Sequence, residues 1–559
     1  MEPTIVYPAR LIRTMDPARP TVQAVAVRGD RIRAVGTTAE LLTYPGAVMD
    51  ERFAQAVLVP GFVEAHSHAG TGTVWQDTYV GMADRTDPDG RHWAGCRTLE
   101  DVVQRLILAD SELADPRAPL VAWGLDPIFF PGERLSADQL DRVSRTRPIH
   151  ITHTSGHAVS VNSAAMQLCG INAPTAVTGV VKDAKGNPTG ELQEMAAIAL
   201  VASLVEGRGV MSTNETALRA FAQDGVNNGI TTLTDLGSAF LMDDAGVDMY
   251  QRAADGPFPA RLNVFHFGLG MGAVPLSLAD AAARLVELRT RSTDKLRLGN
   301  VKLMLDGTVQ GFTARLMAPG YYGDQPNGIW AASPEEFFTA FETFHRAGIL
   351  IHVHCNGDQS TQLFLDTLEK VLTAHPRPDH RHTVTHSQLS TPAQYRRMAA
   401  LGSCANIFAN HIWGWGDQHM DLTVGPDRAA RMNAAATALS HGVPISLHSD
   451  SPVTPLGTLS TMKHAVTRLT MSGRVMGAHE RISAEQALHA VTIGSAYMLK
   501  MDHEIGSLEA GKFADMAILA EDPLGVPAEE IGEIHVYGTM LGGVHHPSTV
   551  ADPVAAGRA

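Results

Sequence analysis

The chain has 559 residues, 44% of them hydrophobic, which is enough for a large core and more than one domain. Its net charge is −15 and it has no basic run, so neither nucleic acid nor an anionic membrane is an expected partner. The four cysteines form no Cys-x-x-Cys pair, the N-terminus lacks the pattern of a signal peptide, and no stretch reaches about 18 apolar residues. We therefore expect a cytoplasmic protein.

Short strand-like segments occur at both ends of the chain. Near the N-terminus, AVAVRG and RIRAVG flank a turn at Gly29-Asp30. After Gly506, FADMAILA and EIHVYGTML lie between Gly, Pro and acidic turns. These segments predict one small β-sandwich domain made from residues 1–58 and 501–559.

The middle of the chain alternates short apolar segments with alanine-rich amphipathic ones, which is the pattern of a parallel βα sheet or barrel. The apolar segments are VLVPGFVEA, GITTLTDL, RLNVFHF, VKLML, GILIHVHC, RHTVTHS, GSCANIF and PISLHS. These eight βα units predict an α/β fold, a (β/α)8 TIM barrel over residues 59–500, with an insertion at about 70–220 after the first strand. An open doubly wound sheet is the alternative.

The first apolar segment ends in His66-Ser67-His68. Strand side chains alternate with period 2, so the two histidines point to the same side. Neutral imidazole is a common zinc ligand, and a rigid strand end can hold two of them. The pair alone is weak evidence, because the chain has 25 histidines and other His-x-His pairs occur in it.

Further potential ligands follow at the ends of later segments. The fifth segment contains His354, the sixth contains His386, and Asp450 follows the eighth. Lys302 lies in the fourth, where a buried unpaired ammonium is costly, so it must reach solvent, pair with a carboxylate such as Asp306, or be chemically modified. A lone strand His is usually a hydrogen-bonded core residue and an Asp after a strand is usually a cap, but the joint pattern favours a metal site.

Seven motifs resemble those of the amidohydrolase superfamily, specifically its YtcJ-like branch, which includes the N-substituted formamide deformylases. They are PGFVEAHSH, SGHAVSVNSAAM, VKLMLDGTVQGFTAR, HVHCNGDQ, THSQ, SDSPV and GSLEAGKFADMAIL. The resemblance covers nearly the whole chain and implies a barrel with a β-sandwich made from both termini.

The resemblance also implies the ligands of one or two divalent metal ions. His66, His68 and Asp450 would bind the first ion, His354 and His386 the second, and Lys302 would bridge them as a CO2-derived carbamate. If Lys302 is unmodified, we expect one ion only. Zinc is the expected metal, although such ligands also accept iron, manganese or nickel.

Together with these residues, the resemblance implies a metal-dependent hydrolase of a non-peptide C–N bond in an amide, an N-substituted formamide or a carbamate. A bound metal lowers the pKa of water, so that hydroxide can attack a carbonyl carbon at neutral pH. Asp450 is expected to take the proton of this water and deliver it to the leaving nitrogen. The alternatives are a decarboxylase or esterase on the same scaffold, or a non-catalytic metal-binding regulatory protein, although a purely structural metal needs no open water position.

The sequence indicates substrate-binding residues less directly. His157, in SGHAVSVN, resembles a family position that reaches the substrate, although a structural role is equally consistent. His411 and Trp413 follow the seventh segment and Trp330 follows the fourth. Aromatic residues on such loops predict an apolar wall for a small aromatic or aliphatic amide, or else packing for the insertion. A homo-oligomer is compatible with the sequence.

Overall fold

The computed structural model of the protein describes residues 2–88, 90–115, 117–205, 212–269, 276–323 and 325–550. Its sheets are a parallel eight-stranded barrel, a six-stranded sheet inserted after the first barrel strand, a two-stranded sheet of Arg85–Thr86 and His92–Trp93, and a sheet built from both chain ends. The predicted fold class is confirmed. Among the described residues, no helix is both long and apolar enough to cross a membrane.

The eight predicted apolar segments form the barrel strands. They are β1 (Phe62–Ser67), β2 (Ile230–Ser238), β3 (Arg261–Leu269), β4 (Leu296–Met304), β5 (Ile351–Cys355), β6 (Thr383–His386), β7 (Cys404–Ile407) and β8 (Ile445–Leu447). Each strand pairs in parallel with the next from β1 to β8. Both faces of such strands are buried, which explains why the segments are almost continuously apolar.

Helices between the strands cover the outside of the barrel. They are α1 (Glu215–Asn227), α2 (Asp244–Asp255), α3 (Leu278–Leu288), α4 (Pro334–Arg346), α5 (Asp358–Ala374), α6 (Pro392–Leu401), α7 (Ala435–Ser440) and α8 (Thr458–Thr467). Ser333 and Thr391 cap α4 and α6, and proline follows each cap at the first helical position. Phe337 and Phe341 of α4 pack in the main core against the strands.

The seam between β8 and β1 is closed by residues that follow β8. The backbone N–H of Asp450 donates to the carbonyl of His66 over 3.0 Å. Glu64 of β1 accepts a hydrogen bond from the Ser449 hydroxyl at 2.7 Å and another from the backbone N–H of His66 at 3.1 Å. Burial raises the pKa of Glu64 to about 8. The first and last strands are therefore joined directly beneath the predicted ligands.

The insertion has its own six-stranded sheet. Its strands are Thr78–Tyr79, Leu120–Leu125, Ile149–His153, Ala158–Val161, Val180–Lys182 and Pro188–Gln193. The helix Leu99–Glu112 packs on one face. A short helix, Glu194–Ile198, continues as a 3-10 helix over Ala199–Val205.

Strands from both chain ends form one eight-stranded sheet. They are Thr4–Arg13, Thr21–Arg28, Arg31–Gly36, Ala47–Met49, Val57–Pro60, Met516–Leu519, Val536–Leu541 and Val544–Pro547. Val57–Pro60 pairs with the first strand on one side and with Met516–Leu519 on the other, so it joins the two chain ends. The limits 1–58, 59–500 and 501–559 remain our proposed domain boundaries, and residues 551–559 lie outside the described residues.

A buried ion pair joins the barrel to this terminal sheet. The Arg261 guanidinium donates to the Asp515 carboxylate over 2.7 and 3.0 Å, and both side chains are 3% exposed. The guanidinium also stacks on the Phe513 ring at 3.5 Å. Removing one partner of such a pair leaves an uncompensated buried charge.

We expect Asp515→Ala to lower the free energy of unfolding by about 3 kcal/mol in denaturant titrations, because Arg261 loses its partner. The matched control is Glu521→Ala, which removes the exposed partner of Arg10 and should change stability by less than about 1 kcal/mol. The double variant Arg261→Met/Asp515→Leu should recover much of the loss. Equal losses in the single and double variants would contradict this role for the pair.

Candidate active site

The predicted metal ligands meet at the carboxyl end of the barrel. His66 lies at the end of β1, His354 near the end of β5 and His386 at the end of β6, while Asp450 follows β8. All strands run parallel, so these ends share one mouth, which is where barrel enzymes carry their active sites.

Four buried side chains form the compact centre of this group: His66, His386, His448 and Asp450 each offer one potential ligand atom, and these atoms all lie within 4.8 Å of one another. His66 Nε2 is 3.2 Å from Asp450 Oδ1, and His448 Nε2 is 3.3 Å from His386 Nδ1. Two ligands of a tetrahedral zinc ion stand about 3.3 Å apart, given metal–ligand bonds of about 2.0 Å. The spacing therefore fits a small divalent cation.

His68 and His354 extend the group on two sides. His68 Nε2 is 3.4 Å from Asp450 Oδ1. His354 Nδ1 is 3.0 Å from His386 Nε2, and its other ring nitrogen is 3.1 Å from the carbonyl oxygen of Gly307. The structure thus brings all five predicted histidine and aspartate ligands into one contiguous group.

The hydrogen bonding of the group leaves acceptor atoms free. Among the described residues, Asp450 Oδ1 has no hydrogen-bond partner despite its short distances to two imidazoles, and neither does Nδ1 of His66 or His68. Buried polar atoms are normally satisfied, so a set of orphaned atoms in one place calls for a further partner. A cation would satisfy the carboxylate oxygen directly.

Burial sets the protonation states that a cation requires. It lowers the pKa of His448 to about 3 and those of His66 and His386 well below their ordinary value, so these imidazoles are neutral and have a lone pair to donate. Burial alone would raise the pKa of Asp450, but the neighbouring His68 outweighs it and the pKa is lowered. The centre is therefore a carboxylate among neutral imidazoles.

Lys302 of β4 is 3% exposed, and its Nζ has no hydrogen-bond partner among the described residues. Burial lowers its pKa to about 7. The suggested partner Asp306 instead accepts hydrogen bonds from the backbone N–H groups of Arg315, Asn356 and Gly357. The sequence left three possibilities for Lys302: contact with solvent, pairing with Asp306, or chemical modification. The structure shows neither of the first two.

His448 received no role in the sequence analysis, yet it belongs to the central cluster. Its Nδ1 is 2.7 Å from Asn406 Oδ1, which turns Nε2 toward His386, and its ring stacks on that of His66 at 4.7 Å. The available signal was its position two residues before Asp450, the same spacing as in the pair at the end of β1.

The cluster opens into a cavity of about 330 Å3, a size that suits a small molecule. The barrel contributes His66, His68, Lys302, His354, His386 and Asp450 to its wall, and the insertion contributes His150, Thr152, His157, Met195, Ile198 and Val205. The inserted sheet therefore forms part of the active-site wall.

His157 lies where the insertion approaches the ligands. Its ring is 5.5 Å from that of His354, and its Nδ1 is 3.0 Å from Glu194 Oε2. Burial lowers the pKa of this imidazole, but the negative charge of Glu194 outweighs burial and raises it. His157 therefore brings a protonatable donor to the cavity, and Glu194 is a partner that the sequence analysis did not single out.

Of the remaining predicted substrate residues, one lines the cavity and two lie outside its wall. His411 lines the cavity and is buried. Trp413 does not line it and stacks on His464 at 5.4 Å, while Trp330 lies beneath the guanidinium of Arg315 at 4.9 Å and also lies outside the cavity wall. Only His411 of these three stays in our proposed substrate site.

Comparison with known proteins places this architecture in a family. The family model described as "Amidohydrolase family" matches residues 54–545, and a model of the bacterial imidazolonepropionase-like composite domain matches residues 24–47. The chain is 28% identical to Protein LONG AFTER FAR-RED 3 of Arabidopsis thaliana, over 95% of this chain and 89% of that protein. It is 27% identical to the N-substituted formamide deformylase of Arthrobacter pascens, over 95% and 96% of the two chains.

Two further similarities agree with this result. The putative amidohydrolase YtcJ of Bacillus subtilis is 26% identical over 96% of this chain and 98% of its own length. A crystal structure of an uncharacterized metal-dependent hydrolase from Pyrococcus horikoshii shares the fold with a TM-score of 0.69 at 18% identity, over 97% of this chain and 100% of that one. The family match spans the whole barrel and the strands that return to the terminal sheet, so the chain belongs to the amidohydrolase family, in the branch that its motifs predicted.

Proposed function

We propose that the protein hydrolyses a non-peptide C–N bond, in an amide, an N-substituted formamide or a carbamate, with the help of bound metal. The observation that carries this proposal is the cluster of His66, His386, His448 and Asp450, whose ligand atoms lie within 4.8 Å of one another and open into a cavity. A carboxylate among neutral imidazoles at the mouth of a barrel suits a catalytic cation.

We propose zinc as the metal, with iron, manganese or nickel as alternatives that the same donors accept. His66, His68 and Asp450 would hold one ion, and His354 and His386 a second, with Lys302 as a carbamate between them. His448 is an additional candidate ligand because it lies in the central cluster. When bound, such a cation polarises a carbonyl and lowers the pKa of water.

Asp450 is the proposed proton carrier. Its lowered pKa keeps it ionised at neutral pH, and its Oδ1 lies 3.2 Å from His66 Nε2 and 3.4 Å from His68 Nε2. It takes a proton from the attacking water and then delivers this proton to the nitrogen of the leaving amine. One carboxylate can serve both steps because it regains its charge when the amine leaves.

Carbamylation of Lys302 has a physical basis in the burial of this side chain. Because burial lowers the pKa to about 7, far more of this Nζ is an unprotonated amine at pH 7 than in an exposed lysine, and the amine is the form that attacks CO2. A bond forms between Nζ and the carbon of CO2, and the nitrogen loses a proton. The product replaces a buried cation with an anionic group that has two oxygen ligands.

The proposed substrate is a small uncharged amide or formamide. Apolar side chains of the insertion, among them Met195, Ile198 and Val205, line the cavity beside the ligands. The relative from Arthrobacter pascens is named for N-substituted formamides, which have this chemistry. We also propose a cytoplasmic location, since the four cysteines form no disulfide.

The test is metal analysis of the purified protein combined with a screen of N-substituted formamides, anilides and carbamates. We expect bound divalent metal, hydrolysis of at least one compound class, loss of activity with a chelator and recovery on addition of zinc. The control is the same screen with a chelator already saturated by calcium. Hydrolysis that persists in the metal-free protein would contradict the mechanism.

A further inference from the structure

His150 is a buried histidine of the insertion that faces the active-site cavity. It lies in the strand Ile149–His153, is 2% exposed and lines the cavity. Neither of its ring nitrogens has a hydrogen-bond partner on another described residue. Neither the proposed ligand set nor the proposed proton transfer uses it.

The direction of this side chain follows from the alternation along its strand. Ile149 and Ile151 pack in the cluster formed with the helix Leu99–Glu112. Side chains at even positions therefore point to the opposite face, and there His150 and Thr152 both line the cavity. Placement at the cavity is thus built into the sheet and does not depend on a loop.

Burial also defines what His150 can bind. It lowers the pKa to about 4, so the imidazole is neutral at pH 7 and has one N–H donor and one acceptor nitrogen. A buried polar group without a partner is costly, and buried groups in native proteins are normally satisfied. Since His150 lines a cavity, a molecule that fills this cavity can supply the missing partner.

Two other buried histidines lack the combination found at His150, which is ring nitrogens without a partner on another described residue together with a place in the cavity wall. His153 lies on the same strand, but its Nε2 is 2.9 Å from the Ser160 hydroxyl and it does not line this cavity. His266 of β3 is also buried, but it lies outside the cavity wall. His150 combines the unpartnered nitrogens with access to the site.

Five further residues of the cavity wall are apolar. Met195, Ile198 and Val205 come from the helical segment of the insertion, and Leu236 and Phe267 come from β2 and β3. An alkyl or aryl group binds favourably to such side chains. An ionic group would lose water there without gaining a counter-ion from these five residues.

We propose that this part of the cavity binds the substituent of the substrate, and that His150 selects substituents that are alkyl or aryl and carry a neutral oxygen or nitrogen atom. The imidazole hydrogen-bonds to that atom while the apolar side chains enclose the carbon skeleton. The preferred substrates are therefore amides or formamides of hydroxylated or similarly polar-substituted hydrocarbons. This inference rests on the proposed function for the scissile bond only, because the selection acts on the substituent.

The experiment compares ligands that differ by one polar atom and cannot be hydrolysed. The ortho, meta and para isomers of hydroxyacetophenone and of methylacetophenone carry a carbonyl but no C–N bond, and hydroxyl and methyl have similar sizes. Calorimetry with the metal-loaded protein should show that at least one hydroxyl isomer binds about 10- to 100-fold more tightly than its methyl counterpart.

The variants assign this preference to one side chain. His150→Phe and His150→Ala should both abolish it, whereas His150→Gln, which retains a donor and an acceptor, should keep part of it. The matched control His266→Phe should behave like the wild type. Both replacements are used because phenylalanine fills the space of the imidazole ring and alanine leaves it open. One of the two variants in folded form is enough for the test. A preference that survives in these variants, or is absent in the wild type, overturns the inference.

Turnover of the corresponding formanilides separates this inference from the proposed function. If hydroxyl selection depends on His150 but no formanilide is hydrolysed, and no other formamide, anilide or carbamate of the screen is either, the inference stands and the proposed reaction is wrong. If formanilides are hydrolysed without any hydroxyl preference, the reaction stands and the inference is wrong.

Discussion

Asp450→Asn should lower kcat/KM by about 1000-fold while most of the metal stays bound. Asparagine keeps the shape of the side chain and one oxygen that can bind a cation, but it cannot accept a proton from water or return one to the leaving nitrogen. The neighbouring imidazoles, which form the rest of the cluster, are unchanged. Steady-state kinetics and metal analysis of the same preparation check both halves of this expectation.

The control for this experiment is Asp126→Asn. Asp126 is also a buried aspartate, and burial raises its pKa to about 6, but its carboxylate accepts hydrogen bonds from Trp415 and from the backbone of Ile128 outside the metal cluster. Its replacement should change kcat/KM by less than about 10-fold. If Asp450→Asn changes activity as little as this control at equal metal content, Asp450 is not the proton carrier.

Lys302→Met should have opposite effects on metal binding and on the stability of the metal-free protein. The variant cannot form a carbamate, so we expect less bound metal and a loss of most activity. Methionine also replaces a buried amine that has no hydrogen-bond partner among the described residues, so the free energy of unfolding of the metal-free protein should rise by about 2–4 kcal/mol at pH 7. Metal analysis, 13C NMR with labelled bicarbonate and denaturant titrations measure these quantities.

The stability difference should depend on pH in a defined direction. Burial lowers the pKa of Lys302 from 10.5 to about 7 in the folded protein. Between these two values the unfolded chain binds more protons than the folded one, so this lysine makes the wild type more stable as pH rises from 7 toward 10.5. The advantage of Lys302→Met should shrink over that range. Parallel stability curves for the two proteins would contradict the lowered pKa.

Much of the barrel could be predicted because its signals are local. A strand covered on both faces is an uninterrupted apolar segment, and proline or glycine next to the helices marks their ends, as at Ser333-Pro334. The proposed ligands His66, His354 and Asp450 could be brought together from the sequence for the same reason, since each follows or ends such a segment and parallel strands bring these ends together.

The rest of the site depends on contacts between distant segments. Trp413 and Trp330 follow the expected strands, but their rings turn to His464 and Arg315, and no local pattern specifies this direction. His150 belongs to a sheet whose position over the barrel mouth is determined by tertiary packing. Its sequence context, an apolar strand with isoleucine on both sides, is also typical of an ordinary core histidine.

The seam between β8 and β1 has a consequence for how the protein acquires its metal. His66 and Asp450 meet only when the last barrel strand has docked against the first, through the contacts of Glu64 with Ser449. A ribosome-bound chain that ends before residue 450 therefore cannot assemble the central cluster, however well its earlier segments fold. The four-residue cluster is therefore complete only after barrel closure, and a cation that needs all four side chains binds to the closed barrel.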